Sequence, residues 1–212
     1  MFLALPVAEV AQPAAKVAVV TSARPADVSR DMRKSAPGRF MRAKITLSPT
    51  GKTLRCELLQ ESGDPAFDKA SCDAFMASKY KPAVDRSGQP TYGTVAATNM
   101  FVNPREKFDY PANADVVLAV AHMPEGAAAY DLREAAVAVD AGGNALTCDN
   151  IVKGPVGPLD RALCSTALKQ LHFAPALDEN GKPVASVQSF SVMFTAQDAD
   201  KIVVKDDAPR RK

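Results

Sequence analysis

Four cysteines at a repeated spacing are the residues of this chain best suited to chemistry. Cys56 and Cys72 are 16 residues apart, and Cys148 and Cys164 repeat that spacing. Four cysteines allow three disulfide connectivities, and the alternative is two pairs of buried free thiols. The repeated spacing favours pairing within each half, because a repeated unit would keep its own bridge. We therefore predict the bonds Cys56–Cys72 and Cys148–Cys164, and with them an oxidising compartment.

The other residue types that carry chemistry are too few or too isolated to form a catalytic or metal site. His122 and His172 are the only histidines, and neither a Gly-rich phosphate loop nor a Cys-x-x-Cys motif occurs. Asp68 and Asp160 fall in the first turns of predicted helices, where a negative charge stabilises the helix dipole. We interpret them as structural residues rather than as catalytic acids or receptor contacts. The sequence thus predicts that the protein is not an enzyme and holds no metal and no cofactor.

The composition excludes several classes of protein. The chain of 212 residues is 47% hydrophobic and 24% charged, a globular balance that excludes full disorder. Its 26 basic and 24 acidic residues give a net charge of +2, which offers no electrostatic basis for binding nucleic acid or an anionic membrane. No apolar run in the chain as given is long enough to span a membrane. The apolar run at 1–8 is either the end of a signal peptide or part of a disordered tail, and the cysteines favour export.

An internal repeat organises the chain. An offset of 92 residues carries the first cysteine pair onto the second, and after one inserted residue the offset becomes 93. Other matching pairs are Gly51 and Gly143, Asp68 and Asp160, Pro82 and Pro175, and Gly88 and Gly181. We interpret the chain as a tandem duplication. The predicted organisation is a signal remnant or disordered leader at 1–37, a first unit at 38–103, an inter-unit segment at 104–129, a second unit at 130–196 and a charged tail at 197–212.

The sequence pattern of each unit predicts strand, strand, helix and strand. Apolar residues alternate over 40–47, which is typical of a half-buried strand. Asp64 and Pro65 supply a helix N-cap and the first helical residue. Short turns make neighbouring strands antiparallel. We therefore predict an α+β fold of two tandem ββαβ units, each an antiparallel sheet with one helix packed on one face. Two further short strands are predicted at 17–20 and 116–120.

The segment after the predicted helix of the first unit carries a family resemblance. Tyr80-Lys-Pro-Ala-Val, the turn Asp85-Arg-Ser-Gly88-Gln-Pro90 and the following strand resemble the C-terminal domain of TonB-family proteins. In the second unit, Phe173-Ala-Pro-Ala-Leu and Asp178-Glu-Asn-Gly181-Lys-Pro183 resemble it more closely. The resemblance implies a periplasmic protein of a Gram-negative bacterium. It also implies that a sheet edge grips an extended segment of an outer-membrane receptor, in energy-coupled transport.

The resemblance directs attention to the last strand of the second unit. An edge strand carries unpaired N–H and C=O groups that an extended partner can satisfy with little demand on its sequence. Alternation predicts that the more apolar of its two faces packs on the helix. The predicted partner-binding residues are Val187, Gln188, Ser189, Phe190, Ser191, Val192, Met193 and Phe194.

A second interpretation of the same fold is a disulfide-stabilised periplasmic scaffold without energy transduction. The two interpretations differ in the state of the sheet edges. A binding module requires that the last strand of at least one unit is unpaired in the monomer. A scaffold requires that both edges are capped, by the runs at 17–20 and 116–120 or by self-association.

Overall fold

A computed structural model of the chain describes residues 13–26, 39–101, 113–124, 130–151, 155–196 and 210–211. The predicted signal remnant at 1–8 and most of the predicted charged tail lie outside the described residues. Within the described part, no helix is long and apolar enough to cross a membrane.

Strands and two helices form an α+β structure in which most long strands belong to one sheet. The helices are α1 (Pro65–Ala77) and α2 (Pro158–Gln170). The strands of the first half are β1 (Val19–Ser22), β2 (Arg39–Leu47), β3 (Thr53–Gln60), β4 (Lys79–Lys81), β5 (Ala83–Val84) and β6 (Pro90–Phe101). The remaining strands are β7 (Val116–Val120), β8 (Tyr130–Val139), β9 (Ala145–Asn150), β10 (Leu171–His172), β11 (Ala176–Leu177), β12 (Pro183–Val184), β13 (Ser186–Ala196) and β14 (Arg210–Arg211).

In the first half, β2 lies between β3 and β6, and all three strands are antiparallel. The alternation predicted for β2 places Met41, Ala43 and Ile45 on the side of α1, where they are fully buried with Phe67 of that helix. Asp64 caps α1 as predicted, because its carboxylate accepts hydrogen bonds from the N–H groups of two residues in the first turn. One hydrophobic core therefore lies between this part of the sheet and α1.

The second half has the same strand order, with β8 between β9 and β13. Here Val137 pairs with Cys148 on one side and with Gln188 on the other. In the first half, Ile45 pairs with Cys56 and with Val95. Both registers are related by the sequence offset of the repeat. A second core forms between this part of the sheet and α2.

The two halves are joined edge to edge, which corrects the prediction of two separate antiparallel sheets. Residues 186–188 of β13 pair in parallel with residues 92–94 of β6, so the strands of both halves form one mixed sheet of eight strands. The physical reason is the edge itself, since each last strand has one unpaired side, and pairing over three residues satisfies part of both edges. The alternation of apolar residues along a strand of one unit does not indicate which strand of the other unit pairs with it.

The two helices pack on opposite faces of the joined sheet. Phe190, Val192 and Phe194 of β13 belong to the core under α2, whereas Val187 belongs to the core that contains α1. Adjacent residues of a strand point to opposite faces, so α1 and α2 lie on opposite sides. The two halves approach closely at their junction, because a Cβ on Gly93 of β6 would lie 3.3 Å from the carbonyl oxygen of Val187 in β13.

Part of the segment 1–37, predicted as a signal remnant or disordered leader, packs on the fold at residues 15–22. Ala15 and Ala18 are buried in the core that contains α1. Lys16 pairs with Val84, and β1 pairs with β4, so the strand predicted at 17–20 is found two residues later. This segment buries apolar surface because residues from both halves of the sheet contribute to the core that it packs on.

Replacement of Gly51 by alanine should destabilise the protein more than the same change at Gly88. Both glycines have positive φ, 79° and 82°, so both variants carry the same backbone strain of about 1 kcal/mol. At Gly51 the new Cβ would also collide with the carbonyl oxygen of Tyr80, whereas at Gly88 nothing lies within 4 Å. Urea unfolding should therefore give the larger loss for Gly51→Ala. Equal losses would contradict the close approach to Tyr80.

Candidate functional site: a strand-pairing cleft between the halves

The strand predicted to bind a partner pairs with segments of the same chain on both sides, so its outer side is covered in part, and binding of a partner at 187–194 stays a prediction. On one side β8 pairs with β13 over 186–195. On the other side β6 pairs with 186–188 and β7 pairs in parallel with 192–196. The strand β7 is the run 116–120, which the scaffold interpretation named as a cap. Pairing thus occurs at the predicted strand, but with segments of the same chain.

The side chains of this strand divide between the two faces as predicted. Gln188, Phe190, Val192 and Phe194 are buried, and the last three pack in the core under α2. On the opposite face Ser191 is also buried, whereas Ser189 and Met193 are partly accessible. The more apolar face therefore packs on the helix.

The structure contains both disulfides predicted within the halves. Cys56 is bonded to Cys72 with a Cα–Cα distance of 5.8 Å, and Cys148 is bonded to Cys164 with a Cα–Cα distance of 5.5 Å. The first bond ties β3 to α1 and the second ties β9 to α2. These bonds anchor the outermost strands β3 and β9 to their helices.

The acidic residues of the first helical turns have structural partners. The buried carboxylate of Asp68 accepts a hydrogen bond from the backbone N–H of Ser62, and that of Asp160 accepts one from Gly157. Each carboxylate therefore holds the chain that enters its helix. Across the described residues, no group of three or more His, Cys, Asp or Glu side chains could hold a metal ion.

A cleft opens where β6 leaves β13 and β7 takes its place. A cavity of about 200 Å³ lies at this point, lined by side chains and backbone from both halves of the chain. The polar residues that line it are Arg42, Asn113, Glu134, Ser189 and Ser191. We call this space the inter-half cleft. It lies between the outer side of β6 and the strand predicted to bind a partner.

Arg42, which lines the inter-half cleft, forms an ion pair with Asp115. The guanidinium Nη2 of Arg42 donates to Oδ1 of Asp115 at 2.7 Å. The other carboxylate oxygen of Asp115 accepts from the backbone N–H and the hydroxyl of Ser191, at 2.8 and 2.9 Å. The side chain of Arg42 is only 7% exposed and that of Asp115 18%. This triad joins β2 of the first half, the segment before β7, and β13 of the second half.

Beyond Thr94, the outer side of β6 pairs with no strand that the structure describes. The N–H of Ala96 donates to the hydroxyl of Ser189, so that N–H points away from β2. Since alternate residues of a strand direct their backbone groups to the same side, Thr98 and Met100 also present N–H and C=O away from β2. As far as the structure describes the chain, no strand pairs with that side from 95 to 101. The edge is the last strand of the first half.

Further polar contacts hold the halves together around the cleft. The guanidinium of Arg86 makes two hydrogen bonds to Asp149, at 3.0 and 2.7 Å, and these raise the pKa of Arg86. The hydroxyl of Tyr92 donates to Glu179 at 3.2 Å. Sequence reasoning missed these contacts and the Arg42–Asp115 pair. The only available signal was an acidic residue directly before a predicted strand, which does not reveal its partner.

Comparison with known proteins finds a family model that matches part of the chain. Residues 38–102 match the family model of the Gram-negative bacterial TonB protein C-terminal domain. The match ends with β6, so it contains β2, β3, α1 and the open strand. No curated protein and no solved structure matches the chain.

Proposed function

We propose that this TonB-like periplasmic protein binds an extended segment of an outer-membrane partner by strand pairing on the outer side of β6. The observation that carries the proposal is that no strand among the described residues pairs with the outer side of 95–101, in the half that matches the family. The two disulfides fit an exported protein, since such bonds persist in oxidising compartments.

The chemistry of the edge supports an extended peptide as the ligand. Backbone groups of Thr98 and Met100 point into the space beside β6, and a partner strand would satisfy them without a particular sequence. Met100 is 45% exposed, so it offers apolar surface to a partner side chain. The cavity next to Ala96 gives that partner room at one end of the strand.

We also propose that residues 130–196 are a second copy of the same unit. The support is the agreement of strand order, register and disulfide position between the halves. In both halves the last strand pairs with the first, and the second strand carries the cysteine bonded to the helix. In the second copy, β7 and β6 occupy the side of the last strand that is open in the first copy.

We propose a binding role rather than catalysis. Two polar side chains that line the inter-half cleft, Arg42 and Ser191, are both bonded to Asp115. A nucleophile needs an adjacent base held ready to accept its proton, and Ser191 instead donates to a carboxylate that an arginine neutralises. The scaffold interpretation remains the competing function, because the edge of β13 is capped as it requires. Binding at β6 distinguishes the two.

Proline in place of Thr98 should abolish or strongly weaken partner binding. The N–H of Thr98 points to the open side, and proline removes it and fixes φ. The matched control is Thr98→Ala, which removes the hydroxyl bonded to Asn113 but keeps the N–H. We expect a loss of at least tenfold in affinity for proline and less than twofold for alanine.

The measurement is a titration of isotope-labelled protein with peptides from the N-termini of outer-membrane receptors, followed by amide chemical shifts. Shifts should concentrate on the β6 amides from 95 to 101. If no peptide perturbs those amides, the scaffold function replaces the binding function. If Thr98→Pro binds as the unmodified chain does, pairing at β6 is excluded.

A further inference from the structure

The strand β7 has the features of a ligand rather than of a structural strand. It is five residues long, it pairs in parallel with β13, and none of its residues is buried. No strand in the described part of the chain pairs with its other side. It lies on the same side of β13 as β6, where a partner strand would add to the second half.

The contacts of β7 define what this side of β13 accepts. Val116, Leu118 and Val120 pack against the core under α2. The N–H of Asp115 donates to the carbonyl of Ser191, at 3.0 Å, which directs the alternate N–H groups that follow towards β13. The carboxylate of Asp115 is bound by Arg42 and Ser191. The surface therefore recognises a carboxylate followed by apolar side chains at the first, third and fifth positions after it.

What holds β7 in place is weaker than what holds the other outer strands. Disulfides tie β3 and β9 to their helices. The strand β7 has only its hydrogen bonds, the half-buried side chains of Val116, Leu118 and Val120, and the bonds of Asp115. Removing it would leave β13 paired with β8 over 186–195 and with β6 at 186–188. The sheet can therefore persist without it.

We propose that β7 is a built-in occupant of a second strand-pairing site, and that an extended segment with an acidic residue before alternating apolar residues replaces it on β13. The inference rests on the strand-pairing function proposed above, but it concerns β13 instead of β6. Because the internal segment and the external one compete for one surface, the apparent affinity for the external one is its intrinsic affinity multiplied by the fraction of chains in which β7 is undocked.

The probe is a synthetic peptide with the sequence of residues 113–122, added to the full chain and followed by fluorescence anisotropy. Leu118→Ala removes apolar contact of β7 with the core and should tighten peptide binding by about tenfold, because the docked fraction falls. The matched control is Leu146→Ala, a leucine of β9 that is 60% exposed and should leave the affinity unchanged. An asparagine in the peptide at the position of Asp115 should weaken binding by about tenfold, since a charged hydrogen bond is lost.

A covalent lock provides the second arm. Val117 and Met193 are neighbours across β7 and β13, and adjacent strands are about 4.8 Å apart, within the range of a disulfide. The double variant Val117→Cys with Met193→Cys should abolish peptide binding. The control variant Val117→Ser with Met193→Ser should retain it. Equal peptide binding by the locked and serine proteins would overturn the proposal, as would equal affinity of the Leu118→Ala and unmodified chains.

Amide shifts separate this inference from the proposed function. Shifts at 189–196 of β13 are expected for the peptide of residues 113–122. Shifts confined to 95–101 of β6 would overturn the occupant role of β7 and leave pairing at β6 in place. If the peptide of residues 113–122 shifts amides of β13 while receptor peptides shift no amide of β6, the occupant role of β7 is retained and the proposed binding site on β6 is excluded.

Discussion

A chain that lacks both disulfides should lose about 6 kcal/mol of stability. Each bond closes a loop between cysteines separated by 16 residues, and a loop of this size contributes about 3 kcal/mol in the chain-entropy account. The two bonds lie in different cores, so their contributions should add. Domains commonly have only about 5–15 kcal/mol of stability, so the loss threatens folding itself.

Urea unfolding of Cys→Ala pairs measures the effect. The variant Cys56→Ala with Cys72→Ala and the variant Cys148→Ala with Cys164→Ala are controls for each other, because both bonds have the same loop length. Each pair should lower the unfolding free energy by about 3 kcal/mol. A loss below about 1 kcal/mol for either pair would show that its loop is already constrained in the unfolded chain.

Local sequence signals were sufficient to predict most elements of the two halves. The alternation in 40–47 and the cap formed by Asp64 are decided by neighbours in the chain, and each is found in the structure. The cysteine pairs could be predicted because the repeat supplied a second observation of the same spacing. These features depend on periodicity and turn chemistry, which a single chain displays directly.

The junction of the halves could not be predicted, because it depends on contacts between residues far apart in sequence. Val187 faces the core of the other half, although its own strand gives no sign of a second apolar environment. The same holds for the site. The strand β7 covers part of the outer side of β13, so the candidate edge lies on β6 instead of β13. This outcome depends on the parallel pairing of β7 with β13, which the sequence does not reveal. A sheet edge has no residue signature, since its chemistry is that of the backbone.

Loss of the carboxylate of Asp115 should have the second large effect, about 3 kcal/mol of unfolding free energy. Asp115→Ala leaves Arg42, whose side chain is 7% exposed, without its counter-charge, and removal of one partner of a buried pair costs about 3–5 kcal/mol. The lower value applies because Asp115 is 18% exposed. The backbone N–H and hydroxyl of Ser191 lose their acceptor as well.

An exposed pair supplies the matched control. Lys69 and Asp73 form an ion pair on α1 with side chains 76% and 65% exposed, so Asp73→Ala should cost no more than about 0.5 kcal/mol. The double variant Arg42→Met with Asp115→Ala should recover most of the loss, because it removes the buried charge together with its partner. Equal losses for Asp115→Ala and Asp73→Ala in urea unfolding would contradict a buried pair.

Amide hydrogen exchange distinguishes whether the Arg42–Asp115 pair stabilises the whole fold or only the docking of 113–120 on β13. The N–H of Ser191 donates to Asp115, whereas the backbone of the neighbouring strand β8 is held by pairing with β13 and β9. In Asp115→Ala, exchange at Ser191 should therefore accelerate far more than exchange at the β8 amides. Uniform acceleration would mean that the pair stabilises the whole fold equally. Selective acceleration at Ser191 would mean that it holds the segment 113–120 on β13, so its loss would expose the strand edge while both cores stay folded.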